Sequence, residues 1–352
     1  MNDNIITNSR NNITQLSAMR HSSRTVSPPS HTCWIVSDGK AGMENQCLGL
    51  AEALGIAPQI KRIKLRRPWE WLPPRLGVLI NPLAGLDEAG DLLTPPWPDL
   101  LIATGRRTVA ASIHIKRLHG ATINVQIQNP HYPVSAFDLV VTPAHDRLRG
   151  KNVIATLGAL HRVTRQRLDA AADEFRGALA HLPRPLVAVL IGGPNSAYRM
   201  DPKIIAHFAD GLRELAKMTG CSFAVTPSRR TGADNIAALR QGIADIPHII
   251  WEGEGPNPYF GYLGLAGAVI VTSDSVNMVS EACAAQKPVY VYDLPGGSSK
   301  FRAFHMAMRD CGAVRPFIPG QTRQLESWTP PAIDDTATVA RAVKRLLIIR
   351  NN

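Results

Sequence analysis

Ser273, Asp274 and Ser275 form a short polar turn between the apolar run Ala268–Thr272 and a small-residue helical pattern carrying Ser280 and Glu281. A second apolar run, Val289–Tyr292, follows Pro288. Hydroxyls and N–H groups at the start of a helix suit an anion, because the first N–H groups lack helical partners and the dipole end there is positive. If the two runs are parallel strands, the turn lies at the carboxyl edge of a sheet, where open α/β sheets hold ligands. The unit therefore predicts a bound nucleotide or phosphate. Glu281 lies among Val279, Ala282, Cys283, Ala284 and Ala285. A carboxylate there can accept two ribose hydroxyls; the plain alternative is an exposed glutamate paired with Lys287 or Lys300.

Other loops repeat the pattern of strand, polar turn and helix. Gly192-Gly193-Pro194-Asn195-Ser196 follows the apolar run Leu186–Ile191, and its two glycines allow close backbone approach to phosphate, although a plain turn has the same composition. It is neither G-x-G-x-x-G nor a Walker loop. In Thr226–Gly232, Ser228, Arg229, Arg230 and Thr231 can contact a diphosphate, to which arginine is a bidentate donor, with Arg229 the chosen candidate; a solvated basic loop is the alternative. In Leu294–Lys300, Ser298 and Ser299 are nucleotide-binding candidates that can equally cap a helix, and Lys300 or the following Arg302 can neutralise phosphate. In the first half, Asp38 in Ser37-Asp38-Gly39-Lys40-Ala41-Gly42 is the candidate general base, and is equally placed to cap the next helix. His131 in Asn129–Pro133 is the alternative base, weighed against a structural histidine. Thr104-Gly105-Arg106-Arg107 supplies cations.

These loops require strands and helices in alternation. Short β runs at Cys33–Ser37, Gln59–Leu65, Leu100–Ala103, Thr122–Ile127, Leu139–Thr142 and Val153–Thr156 predict one parallel sheet. Runs at Leu186–Ile191, Ser222–Thr226, His248–Trp251, Ala268–Thr272 and Val289–Tyr292 predict another. The architecture expected is α/β, with two Rossmann-like domains facing a cleft: residues 31–182 as acceptor domain and residues 183–330 as donor domain. A C-terminal helix within residues 331–352 is expected to cross back onto the first. One large doubly wound domain is the alternative. Residues 1–30, rich in Asn, Ser, Thr and Arg and ending in Ser27-Pro28-Pro29-Ser30, read as a disordered extension without the apolar centre of a secretory signal.

The 352 residues are 45% hydrophobic, with a net charge of +11. That balance suits anionic partners. The basic segment starting at Lys61 interleaves Arg66 and Arg67 with Trp69 and Trp71. This composition fits an anionic membrane surface better than nucleic acid, whose binding signatures are missing, and a core-packed loop is the alternative. No run of apolar residues is long enough to span a bilayer. The five cysteines are widely spaced, which predicts free thiols and no zinc site. Nothing in the sequence signals an oligomeric state.

Val269–Asp293 resembles the donor-site unit of nucleotide-sugar glycosyltransferases of the two-Rossmann (GT-B) class, with Val279-Ser280-Glu281 on the helix and Pro288 leading the next strand. The resemblance implies that Glu281 holds the ribose and Gly192-Gly193 the phosphates. Ser275 departs from the glycine usual there, and Met278 from the threonine. From Trp34 onward the chain also resembles the mitochondrial-fission, elongated-mitochondria family and its bacterial relatives. That likeness rests on Ser37-Asp38-Gly39-Lys40-Ala41-Gly42 with Gln46, on Ile191-Gly192-Gly193-Pro194, and on Thr272-Ser273-Asp274-Ser275-Val276 with Met278. Plant members of that family recruit a dynamin-related protein at the outer mitochondrial surface; the short extension here points to a bacterial member. The function expected is a metal-independent glycosyltransferase that uses a nucleotide-diphosphate sugar as substrate and no cofactor. It would be cytoplasmic and peripheral to the inner membrane. The alternatives are a non-catalytic membrane-surface scaffold of the fission type and a non-hydrolysing sugar-nucleotide epimerase.

Overall fold

The computed structural model describes residues 31–79 and 81–351. Strand β1 (Cys33–Ser37) is buried along its whole length and leads to helix α1 (Ala41–Leu54), which stops at Gly55 with φ 75°. The remaining strands of this half are β2 (Pro58–Arg62), β3 (Leu100–Thr104), β4 (Ile123–Ile127), β5 (Leu139–Pro143) and β6 (Val153–Thr156). The short helix α2 (Pro74–Gly77) precedes β3, and α3 (Val109–Leu118) follows it. All pair in parallel, in the order β2-β1-β3-β4-β5-β6. Burial on both faces explains why β1, β3 and β5 read as near-continuous apolar runs, while β4 carries the buried polar Asn124 and Gln126.

Helix α4 (Arg165–Phe175) leads to the second sheet: β7 (Leu186–Ile191), α5 (Pro202–Thr219), β8 (Ser222–Pro227), α6 (Ala233–Gly242), β9 (His248–Ile250), α7 (Tyr259–Leu265), β10 (Ala268–Thr272), α8 (Val276–Ala284), β11 (Val289–Tyr292), α9 (Ser299–Asp310) and β12 (Arg315–Pro316). It too is wholly parallel, in the order β12-β11-β10-β7-β8-β9. Helix α5 has strong end signals. Asp201 accepts the Ile204 N–H at 3.0 Å, Pro202 occupies the first turn, and Gly220 ends the helix with φ 69°.

The final helix, α10 (Asp335–Asn351), crosses back. Its Val339, Val343 and Leu347 pack with Ile35, Leu50 and Ile102 beneath the first sheet. Leu168, Leu179 and Leu182 pack with Ala188, Leu190 and Val269, so the chain joins the second core before β7 begins.

Strand β2 ends at Arg62, earlier than the apolar pattern suggests, because the Lys64 carbonyl accepts the Asp87 N–H and Leu65 bridges Leu86. The five cysteines are free thiols, and only Cys311 is exposed. Among the described residues, no helix is long and apolar enough to cross a membrane. The extension expected over residues 1–30 lies outside the described residues.

Candidate functional site

The two halves touch where their loops converge. Asn277, in the first turn of α8, donates to the Gly42 carbonyl at 2.7 Å and accepts from Gln46 Nε2 at 3.2 Å. Lys300 Nζ reaches Asp146 Oδ1 at 2.5 Å, and the Ala159 N–H donates to Ser280 Oγ at 2.9 Å. Between these bridges lies a cavity of about 270 Å³ lined by Gln46, Gln128, His131 and His145 from the first half and by Val276 and Lys300 from the second. Gln128 and His131 both adopt positive φ, at 72° and 50°. Such conformations are costly for residues with side chains and persist where the surroundings impose them.

At the mouth of the second sheet Gly192, Gly193, Asn195 and Ser273–Ser275 come together, and their polar groups bond within the protein. Ser275 caps α8 by accepting the Met278 N–H at 3.3 Å, and Ser273 Oγ accepts the Leu294 N–H at 3.0 Å. The ring of His305, buried on α9, donates through Nε2 to the Ser273 carbonyl at 2.8 Å. Asn195 Oδ1 accepts the N–H groups of Ala197 and Tyr198, and its Nδ2 donates to the Asp274 carbonyl. Asp274 is fully enclosed. Its carboxylate accepts the Gly193 N–H at 2.9 Å, the Thr272 hydroxyl at 2.7 Å and Arg230 Nη2 at 2.9 Å. The Gly192 N–H donates to Thr272 Oγ1 at 2.9 Å. A side chain on Gly192 would place Cβ 2.1 Å from Asp274 Oδ2, and one on Gly193 would lie 2.3 Å from the Arg230 carbonyl, so both glycines serve close packing. The cation that pairs with Asp274 is Arg230, and the neighbouring Arg229 is exposed. Ser298 caps α9 and Ser299 opens it, while Lys300 is engaged with Asp146.

Glu281 stands one turn beyond Asn277 on α8 and is buried rather than exposed. Burial pushes its carboxyl up to about 7, against the lowering effects of a 2.6 Å hydrogen bond from the Tyr259 hydroxyl and of nearby Arg162. Burial likewise holds the Tyr259 hydroxyl well above its ordinary range. Neither Lys287 nor Lys300 pairs with Glu281. Lys287 Nζ donates to the Leu263 and Gly264 carbonyls, in the last turn of α7, and burial brings it down to about 8.

In the first half, Asp38 does not cap α1, whose N-cap position is Lys40. Its side chain is only 6% exposed; Oδ2 accepts Lys40 Nζ at 2.7 Å and lies 3.9 Å from Arg107 Nη1. Oδ1 is buried with no hydrogen-bond partner. An unpaired carboxylate oxygen in such a place is costly unless something occupies it. His131 is exposed at the rim of the interdomain cavity, apart from the Asp38 cluster. His145, which the sequence did not single out, lines the cavity; burial lowers its pKa, with Asp146 opposing and Lys300 reinforcing that shift.

The basic tryptophan segment divides in two. Trp69 packs on Gly85, where a Cβ would sit 2.4 Å from the ring. Trp71 is 65% exposed, with the Arg67 guanidinium 5.1 Å from its ring centroid, and Leu76 and Leu79 are exposed beyond it. Among the described residues, no three His, Cys, Asp or Glu side chains converge as a metal-binding group.

Two parallel six-stranded α/β layers that meet through their loops, with a helix returning to the first, define a two-Rossmann, GT-B-like protein. Solved structures share this fold. UDP-GlcNAc 2-epimerase from Methanocaldococcus jannaschii superposes with a TM-score of 0.52 at 10% identity, covering 89% of this chain and 99% of that one. Os79 from O. sativa in complex with UDP gives 0.51 at 10% identity, covering 90% and 88%.

The model of the family described as mitochondrial fission ELM1 matches residues 41–347. The mitochondrial fission protein ELM1 of Arabidopsis thaliana is 30% identical, covering 90% of this chain and 91% of its own. The uncharacterized protein RP120 of Rickettsia prowazekii is 25% identical over 91% of this chain and 99% of its own. The chain belongs to the mitochondrial fission ELM1 family.

Proposed function

We propose that this chain binds a nucleoside-diphosphate sugar between its two halves and transfers the sugar to an acceptor presented by the first half. The observation that carries the reading is Glu281: a carboxylate buried on the helix that follows β10, with its pKa raised to about 7. Strongly shifted buried acids concentrate at functional sites, and a ribose diol is a suitable partner for one. Asp38, with its buried unpartnered oxygen beside Lys40 and Arg107, supports a base that takes the acceptor proton. Charge developing on the leaving diphosphate is met by cations and helix N-termini of the chain itself, without a metal. The fold shared with a protein solved with UDP agrees with this reading. The exposed Trp71, Leu76 and Leu79 beside Arg66, Arg67 and Arg75 support work at an anionic membrane surface, on the cytoplasmic side.

The internal bonding of the Ser273–Ser275 turn favours a second reading, a non-catalytic surface protein that keeps the fold. Incubation with UDP-sugars, followed by separation of products, tests the choice. Transfer supports the first reading, a changed sugar with intact diphosphate supports an epimerase, and no product at any protein concentration supports the scaffold.

A further inference from the structure

Asp274 places a negative charge where a phosphate is expected. Gly192 and Gly193 leave a niche free of side chains, and the Asp274 carboxylate fills it, with its two oxygens 2.2 and 2.1 Å from where a Gly192 Cβ would stand. The carboxylate also takes the donors that a phosphate would need: the Gly193 N–H, the Thr272 hydroxyl and the Arg230 guanidinium. One carboxylate against one guanidinium leaves the niche neutral. A diphosphate brought beside it meets a buried like charge and a cation already in use.

The two partners differ in freedom. The Asp274 side chain has no exposed surface, whereas that of Arg230 is 46% exposed and lies in a loop whose neighbour Arg229 faces solvent. Arg230 is therefore the group that can move, with its Nη1 bonds to the Gly193 and Pro194 carbonyls giving way together.

We propose that Asp274 is an internal occupant of the phosphate niche, and that a ligand's diphosphate binds only when Arg230 leaves Asp274 for the phosphate. The proposal rests on the nucleotide-sugar reading above and adds a control to that site. The resting state lowers apparent affinity in proportion to how seldom the pair is open.

Isothermal titration of the full chain with inorganic pyrophosphate and with UDP tests it. In Asp274→Asn both ligands should bind about tenfold or more tightly than in wild type, since a charged hydrogen-bond competitor has been removed. Adding Arg230→Gln to that protein should cancel the gain. If Asp274→Asn does not melt cooperatively, Asp274→Ser carries the same expectation, because it removes the charge and vacates the niche beside Gly192 and Gly193. A folded variant that binds pyrophosphate no more tightly than wild type overturns the proposal and leaves Asp274 as scaffolding. Tighter pyrophosphate binding with no further gain from UDP would uphold the occupied niche and refute the nucleotide reading.

Discussion

Replacing Glu281 with Gln should change how protons move when a nucleotide binds. Burial raises the carboxyl from its ordinary 4.5 to about 7, with the Tyr259 hydrogen bond and Arg162 pulling the other way. Because the folded value lies above the unfolded one, the group's contribution to stability is complete below pH 4.5. It falls as pH rises toward 7 and is flat above; the whole change amounts to about 3 kcal/mol. Two ribose hydroxyls donating to the carboxylate would favour its charged form and return it toward the ordinary value. Nucleotide binding should then release most of a proton near pH 6 and progressively less as pH rises through 7. Titration calorimetry of UDP in two buffers of different ionisation enthalpy reads that release directly. The Glu281→Gln protein supplies the baseline, because UDP's own phosphate also titrates near pH 6. Wild type and variant releasing the same number of protons at pH 6 would refute the placement of the ribose on Glu281.

Gly192→Ala should destabilise the fold by about 3 kcal/mol in chemical denaturation, since its Cβ meets an enclosed carboxylate that has no room to yield. Asp38→Asn should abolish sugar transfer while leaving the UDP dissociation constant within about twofold, as expected for a base acting on the acceptor; an unchanged rate would remove Asp38 from the chemistry. Trp71→Ala combined with Leu79→Glu should abolish sedimentation with phosphatidylglycerol vesicles and leave the melting temperature unchanged. Trp69→Ala should lower the melting temperature, because its ring is packed on Gly85.

Much of the architecture is legible from residue patterns, because strands such as Leu186–Ile191 and Ala268–Thr272 are buried on both faces and bounded by polar turns. Helix α7 is harder to read: Tyr259–Leu265 is short, holds two glycines, and exists because those glycines let it lie against α4, where a Cβ on Gly264 would meet the Leu168 carbonyl at 2.5 Å. Strand β12 is two residues long and carries no periodic signal at all. The candidate site is legible as a set of residue types but not as a set of bonds. Nothing local distinguishes Arg229 from Arg230, yet only the latter reaches Asp274. Whether Ser273, Asp274 and Ser275 face a ligand or one another depends on Leu294, Gly193 and Arg230, which are distant in the chain. Similarly, the burial of Glu281 requires Tyr259, twenty-two positions away, which no helical pattern around Glu281 announces.

The central claim is that a nucleotide occupies the second half of this protein. Thermal melting of the full chain with UDP, GDP, CMP and ADP in turn tests it most directly. One of them, at a hundred times its dissociation constant, should stabilise the protein by about 2.7 kcal/mol, which is read as a rise of several degrees in Tm. The rise should disappear in a folded Glu281→Ala variant. No rise with any of the four nucleotides would contradict the account.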